Sequence, residues 1–247
     1  MSFFISIQNQ WVVAFVLNFV LIYLAQRFPF LTASGWVHAG GLGTILWACL
    51  GLKGWLAVVI YLVLGTLVTK IGFKYKQALG IAEARGGSRG PANVWGSAAT
   101  GAFLAVLVGI GFGSKELLLI GFAASFAAKL ADTFGSEIGK RWGRKAFLIT
   151  TLQPVSPGTD GAISIEGTLA SALGSLVMTV VVFSLSLVDE FLSLFIIFLS
   201  GLLATLLESV VGALFQKRIA WLSNELVNFF QTNFAALLAI TVSSLII

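Results

Sequence analysis

The chain has 247 residues, of which 58% are hydrophobic and only 10% are Asp, Glu, Lys or Arg. A soluble domain carries about 25% charged residues, so this composition excludes a water-soluble fold and belongs to a chain dissolved in lipid. The net charge of +5 comes without an aromatic-interleaved basic face or a nucleic-acid motif, which excludes a nucleic-acid partner.

In chain order, residues 1–9 carry no positive charge and no small-residue cleavage site follows, so neither a signal peptide nor an Arg-rich transit peptide is expected. Crossing the hydrocarbon core takes roughly 20 apolar residues. The predicted spans are 10–26, 35–51, 54–70, 93–112, 116–132, 165–187, 191–215 and 226–247. The connections are too short for a soluble appendage, so 1–247 reads as a single integral membrane domain. It is expected to be an all-α, polytopic bundle of about eight transmembrane helices, within a range of six to eight. Alternation is weak and there are no repeated segments of ~10 residues, which argues against an outer-membrane barrel. Cys49 and His38 are each alone in the sequence, which removes an intrachain disulfide, a cysteine cluster and a histidine-based zinc site.

Charge is concentrated in 70–91 and 129–166, which predicts polar loops over approximately 70–92 and 133–164. With eight alternating spans, 13 of the 15 Lys and Arg fall on one side, Lys217 and Arg218 included, and only Lys53 and Lys115 on the other. Cytoplasmic loops carry the excess of Lys and Arg. Both charged loops are therefore expected in the cytoplasm (or its plastid equivalent, the stroma) and both termini outside it.

Three predicted helices carry stripes at helical spacing. Ser125, Lys129, Asp132 and Ser136 form the first, Gly167, Ser171, Gly174 and Met178 the second, and Gly201, Thr205, Glu208 and Gly212 the third. Small faces let helices approach closely in lipid, and packing alone accounts for the glycines. Asp132 and Glu208 differ, because an ionised carboxylate in an apolar span is costly unless paired or hydrated. The structural alternative for Asp132 is an ion pair with Lys129 on its own helix. The last span opens with Asn224, Glu225, Asn228 and Gln231, which are expected to line the cavity under the charged loops.

The residues that carry chemistry lie in ADTFGSEIGK (131–140), RWGRK (141–145) and PGTDG (157–161). Asp132, Glu137 and Asp160 supply hard oxygens of the kind that hold Mg²⁺ together with substrate phosphates. Lys140, Arg141, Arg144 and Lys145 offer counter-charge, and the turn from Gly158 to Gly161 lets backbone N–H groups approach an anion. Lys129 stands beside this group on the same helix. Such a set suits phosphoryl or nucleotidyl transfer, where catalysis is mainly positioning and charge stabilisation. GSEIGKR (135–141) is not a Walker A sequence, being one residue short between its glycines and lacking Ser or Thr after Lys140.

The runs LVTKIGFKYKQ (67–77), ARGGSRGPANVWGSAATG (84–101), ADTFGSEIGK (131–140), PVSPGTDGAISIEGTLAS (154–171) and SNELVNF (223–229) resemble the integral membrane family of plant and cyanobacterial phytyl-phosphate kinases. That family serves phytol salvage and tocopherol synthesis, and it is distantly similar to CTP-dependent polyprenol kinases and CDP-lipid synthases. The resemblance implies a kinase that converts phytyl monophosphate, or another isoprenyl phosphate, to the diphosphate. A nucleoside triphosphate, CTP by analogy, and Mg²⁺ are implied with it, in a cyanobacterial or plastid membrane. It further implies Asp132 and Glu137 as metal ligands, and Lys140, Thr151, Gly158, Thr159, Gly161 and Ser164 around the nucleotide phosphates; Lys129, Lys145 and Asp160 are expected beside them from their place in the charged stretch. Where many members of the wider family have Gln-Val and Asn-Gly, this chain has Asn93-Val94 and Ser97-Ala98, so roles for that segment do not carry over. From their place in the first charged loop, Arg85 and Arg89 are expected to grip the acceptor phosphate. Two alternatives stay open at this point: a CTP:lipid-phosphate cytidylyltransferase using the same metal site, and a transporter.

Overall fold

A computed structural model describes residues 2–216 and 218–246, with side-chain surroundings from residue 9 onward. Lys217, counted above, lies outside the described residues. The elements are α1 (Ser2–Ala25), α2 (Ala33–Lys70), α3 (Phe73–Ala78), α4 (Pro91–Gly109) and α5 (Lys115–Trp142). Strands β1 (Ala146–Leu148), β2 (Pro154–Val155) and β3 (Ala162–Ile163) follow, and then α6 (Ile165–Ser184), α7 (Phe191–Val211) and α8 (Asn224–Ile246). A π-helical turn over Gly212–Gln216 extends α7.

Helix α2 is two arms folded back on each other. Gly51 takes φ 66° and ψ −163°, a backbone conformation open to glycine and closed to most other residues. The consequence appears at the far ends of the arms. A Cβ on Gly35 would lie 2.5 Å from the Arg89 carbonyl oxygen, and one on Gly65 would lie 2.6 Å from the Arg89 guanidinium. Residues 30 positions apart therefore meet one arginine, which a straight helix rising about 1.5 Å per residue forbids. The arms correspond to the expected spans 35–51 and 54–70. Among the described residues six helices are long and apolar enough to cross a membrane with α2 counted once, and Asn9–Ala25 of α1 is a further apolar stretch. The fold is the expected all-α bundle.

Helix α5 runs through the middle of the bundle: 78% of its apolar window is buried, against 28–44% for the other spans. Ser114 starts it by accepting the Leu117 N–H at 3.4 Å, satisfying one of the orphan donors of a helix N-terminus. Its small face admits neighbouring backbones. A Cβ on Gly174 of α6 would stand 2.7 Å from the Leu130 carbonyl oxygen, and one on Gly201 of α7 would stand 3.0 Å from the Ala127 Cβ. The stripes on α6 and α7 are thus packing faces against α5, as small residues are in lipid.

One expectation is corrected here. Residues 133–142 are not loop: α5 continues to Trp142, where the Gly143 N–H closes it on the Gly139 carbonyl at 2.9 Å. The remaining connection carries a small antiparallel sheet in the order β2-β1-β3, with Phe147 opposite both Pro154 and Ile163.

The two ends of the bundle differ in character. At one end the 27–32 segment meets 85–89, with the Ser88 hydroxyl donating to the Pro29 carbonyl at 3.1 Å and Arg89 N–H to Phe30 at 3.0 Å. At the opposite end Lys53 donates to the Ser186 carbonyl at 3.5 Å. The charged loops therefore gather at a single end.

Candidate active site

Two polar cavities open at the charged end, on either side of α5. One has a volume of about 420 Å³ and lies under the loop between α3 and α4, reaching Arg85, Arg89, Lys129, Asn224 and Asn228. The other, of about 180 Å³, lies between α5, the turn 157–161, the start of α6 and the end of α7. Asp132, Ser136 and Lys140, one face of α5 at i, i+4 and i+8, line both.

Each charge on that face is held. Lys129 is buried, pairs with Asp132 and donates to the Asn228 side-chain oxygen at 2.9 Å. The ion pair expected as the structural alternative for Asp132 is therefore present, and Asp132 still reaches both cavities. Lys140 lies 3.2 Å from Glu83 and 3.7 Å from Glu137. Desolvation works to raise the Glu83 carboxyl, but the Lys140 ammonium outweighs it, with help from Lys129 and Arg89. The carboxyl is held below its ordinary value.

In the larger cavity Arg89 donates to the Tyr61 hydroxyl at 3.2 Å and stacks over that ring at 5.4 Å. Arg85 donates to the Asn93 side-chain oxygen at 2.7 Å, and the same oxygen accepts the Gly90 N–H at 3.0 Å. The Asn93 amide then donates to Glu225 at 3.0 Å, tying α4 to α8. Sequence reasoning did not find Asn93, Glu83 or Tyr61. For Asn93 a local signal exists, a Gly-Pro-x-Asn pattern that caps α4 through the third helical residue.

The smaller cavity collects Gly158, Thr159, Asp160, Gly161 and Ser164 with Glu208 of α7. Ser164 caps α6 by accepting the Gly167 N–H at 3.0 Å, so an N-terminal helix end with its partial positive charge faces this space. The turn is built on left-handed glycines, Gly158 at φ 84° and Gly161 at φ 74°. Gly161 is also pinned by packing, since a Cβ there would lie 2.5 Å from the Ser209 carbonyl oxygen. Not every backbone donor is free for an anion: the Thr159 N–H is spent on Ser156 at 3.2 Å and its hydroxyl on the same carbonyl at 2.8 Å.

Three residues expected at the site stand apart from it. Lys145 and Thr151 are exposed and line neither polar cavity. Glu137 is 2% exposed, pairs with the fully buried Lys76, and lines neither cavity. Lys76 also donates to the Thr69 carbonyl at 3.0 Å. The reason is angular: five residues along a helix turn a side chain well away from Asp132. Glu137 thus fastens α3 to α5, and the metal-ligand expectation for it gives way to an ion pair.

That pair makes a prediction. Removing one member of a buried pair strands a charge and costs about 3–5 kcal/mol, whereas replacing both is much closer to neutral. Lys76→Met and Glu137→Gln are each expected to lower the melting temperature in detergent, and the double variant to regain most of the loss and keep turnover. A double variant as stable as the wild type but inactive would return Glu137 to the chemistry.

The model of the integral membrane protein family DUF92 matches residues 16–236. The chain belongs to this family. It is a multi-pass integral membrane protein, in agreement with its fold and with the resemblance read from its motifs. It is 46% identical over 242 residues to the Synechocystis membrane protein sll0875, covering 97% of this chain and 93% of that one. It is 40% identical over 228 residues to Protein VTE6, chloroplastic, of Arabidopsis thaliana, covering 88% of this chain and 66% of the plant protein. A membrane protein of Methanocaldococcus jannaschii, MJ0933, is 33% identical over 213 residues, with 86% of each chain covered. No solved structure matches.

Proposed function

We propose that the protein is a membrane phosphotransferase that passes the terminal phosphoryl group of a nucleoside triphosphate to an isoprenyl monophosphate, phytyl phosphate first among them. The observation that carries this reading is that two polar cavities share Asp132, Ser136 and Lys140. Two phosphate-bearing substrates held on opposite sides of that face would meet across it. The phytyl identity and a cyanobacterial or plastid membrane rest on the motif resemblance and on the Synechocystis and chloroplastic relatives.

The acceptor phosphate is assigned to the larger cavity, where Arg85 and Arg89 provide guanidinium groups of the geometry that binds phosphate. The nucleotide phosphates are assigned to the smaller one, against the turn 157–161 and the start of α6. The acceptor's own phosphate oxygen attacks the terminal phosphorus, the bond from that phosphorus to the β-phosphate oxygen breaks, and nucleoside diphosphate leaves. A phosphate monoester has its second pKa near 6 and is mostly dianionic at neutral pH, so no protein base is needed. What the chain must supply is alignment and relief of repulsion between polyanions. Lys140, at the junction, carries charge toward both substrates.

The donor set fits Mg²⁺ in the sparse form that enzymes of phosphate chemistry use. Among the described residues no three His, Cys, Asp or Glu side chains form a protein-only metal centre, and Mg²⁺ needs only one or two carboxylates with substrate phosphates and waters. Asp132, Asp160 and Glu208 line a cavity assigned here to a triphosphate, where Lys140 is the single Lys or Arg among the described lining residues and Lys129 pairs with Asp132 from beside it. That balance favours a divalent cation on Asp132, with Asp160 and Glu208 as the nearby oxygens. When bound, the ion would neutralise the phosphate oxygens. The excess of Lys and Arg at this end supports a cytoplasmic or stromal active face.

Purified protein in detergent, given Mg²⁺, phytyl monophosphate and CTP, ATP, GTP or UTP in turn, tests the reading. Phytyl diphosphate and equimolar nucleoside diphosphate are expected with at least one donor, CTP foremost. A CDP-lipid with pyrophosphate would instead make the enzyme a cytidylyltransferase.

A further inference from the structure

A third cavity, of about 300 Å³, lies inside the bundle between α1, both arms of α2 and α4. Its walls are almost wholly apolar, and among the described residues Arg89 is the one charged side chain that lines it. Arg89, Asn93 and Ser97 also line the larger polar cavity, so the apolar and polar spaces meet at that guanidinium. From there the cavity runs along both arms of α2, from Trp36 to Leu46 on one and from Leu62 back to Trp55 on the other. Ten residues of helix make it about 15 Å deep. At the end away from Arg89 the Trp55 indole N–H donates to the Asn18 side-chain oxygen at 2.9 Å, and Asn18 in turn donates to the Ala14 carbonyl at 2.8 Å, which ties α1 to α2 there. Trp36 lines the cavity on the Arg89 side and is 8% exposed, and its indole N–H finds no acceptor among the described residues.

We propose that this cavity is the binding site for the hydrocarbon chain of the lipid phosphate, and that its far end at Leu46, Trp55 and Asn18 acts as a floor that sets an upper limit on chain length. The inference rests on the acceptor reading given above. Charge complementarity selects the occupant: a lipid whose head is a phosphate monoester places the phosphate on Arg89 and its chain in the apolar space behind it. The buried Trp36 N–H offers a donor close to where the head begins. A lipid tail is as apolar as the cavity wall, so moving it from bilayer to protein yields little net hydrophobic free energy. Affinity then comes from the phosphate, and the cavity contributes selection by shape and length.

This separation fixes the test, which is equilibrium binding of radiolabelled geranyl, phytyl and a C40 prenyl monophosphate to detergent-solubilised protein without nucleotide. Val58 is buried midway along the wall and Leu46 is 1% exposed at the floor. Val58→Phe is expected to weaken phytyl phosphate at least tenfold and leave geranyl phosphate within twofold. Leu46→Ala, which deepens the floor, is expected to improve binding of the C40 chain and leave geranyl phosphate unchanged. Equal effects on all three lengths, no effect in either variant, or equal competition by straight-chain lysophosphatidic acid would overturn the assignment. Because no nucleotide is present, length-selective binding with no turnover would sink the kinase reading alone. Turnover of phytyl phosphate with length-blind binding would sink the tail site alone.

Discussion

Asp132→Asn is expected to lower kcat by about 10²- to 10³-fold, the scale of losing a group that stabilises developing charge in a water-poor site. The substitution keeps the side chain's shape and removes its charge. The buried Lys129 loses its charge partner but keeps its 2.9 Å bond to Asn228, so the variant is expected to melt at a lower temperature while still extracting from membranes as folded protein that binds phytyl phosphate. Asp132→Glu is expected to recover part of the rate, since it restores the carboxylate at a displaced position. Single-turnover assays beside a melting curve separate the two effects. Near-normal kcat in the Asn variant would remove Asp132 from the chemistry and leave it as the partner of Lys129 alone.

Arg89→Ala carries the second large effect, on the acceptor side. A hydrogen bond to a charged group is worth about 1.5–3 kcal/mol, which corresponds to a rise of roughly 10- to 150-fold in KM for the lipid phosphate. The nucleotide KM is expected to stay within about twofold. Arg89 also donates to Tyr61 at 3.2 Å and packs against Gly65, so a control is needed. Tyr61→Phe removes the hydroxyl contact while keeping the ring beneath the guanidinium, and is expected to shift the lipid KM only a few-fold. If Arg89→Ala moved the nucleotide KM instead, the assignments of the two polar cavities would be exchanged.

How much of this was legible beforehand depends on the range of the interaction. Hydropathy located the helical rods, including both arms of α2, because span length is a local property of the chain. The fold-back at Gly51 was implicit in the break between 35–51 and 54–70, and the glycine supplies its means. Local periodicity also placed Lys129, Asp132 and Ser136 on one face, and that face proved to be the one shared by two cavities. The continuation of α5 to Trp142 was missed because ADTFGSEIGKRW reads as polar loop by hydropathy. Its helix is sustained by close packing of Gly135 and Gly139 on Gly167 of α6, which no local pattern reveals. The Lys76–Glu137 pair joins residues 61 positions apart, and the same holds for Asn93 with Glu225 across 132 positions. Thr151 was expected near the phosphates from the family resemblance and Lys145 from the run of basic residues, but both are exposed in the connection that carries the small sheet.

On the proposed reading a single phosphoryl group crosses the Asp132 face from nucleotide to lipid phosphate. Parallel reactions with α-labelled and γ-labelled nucleotide triphosphate, followed by separation of the lipid products, test it most directly. Label from the γ position in phytyl diphosphate, and none from the α position, is the predicted result. Lipid product labelled from the α position would contradict it and make the reaction nucleotidyl transfer.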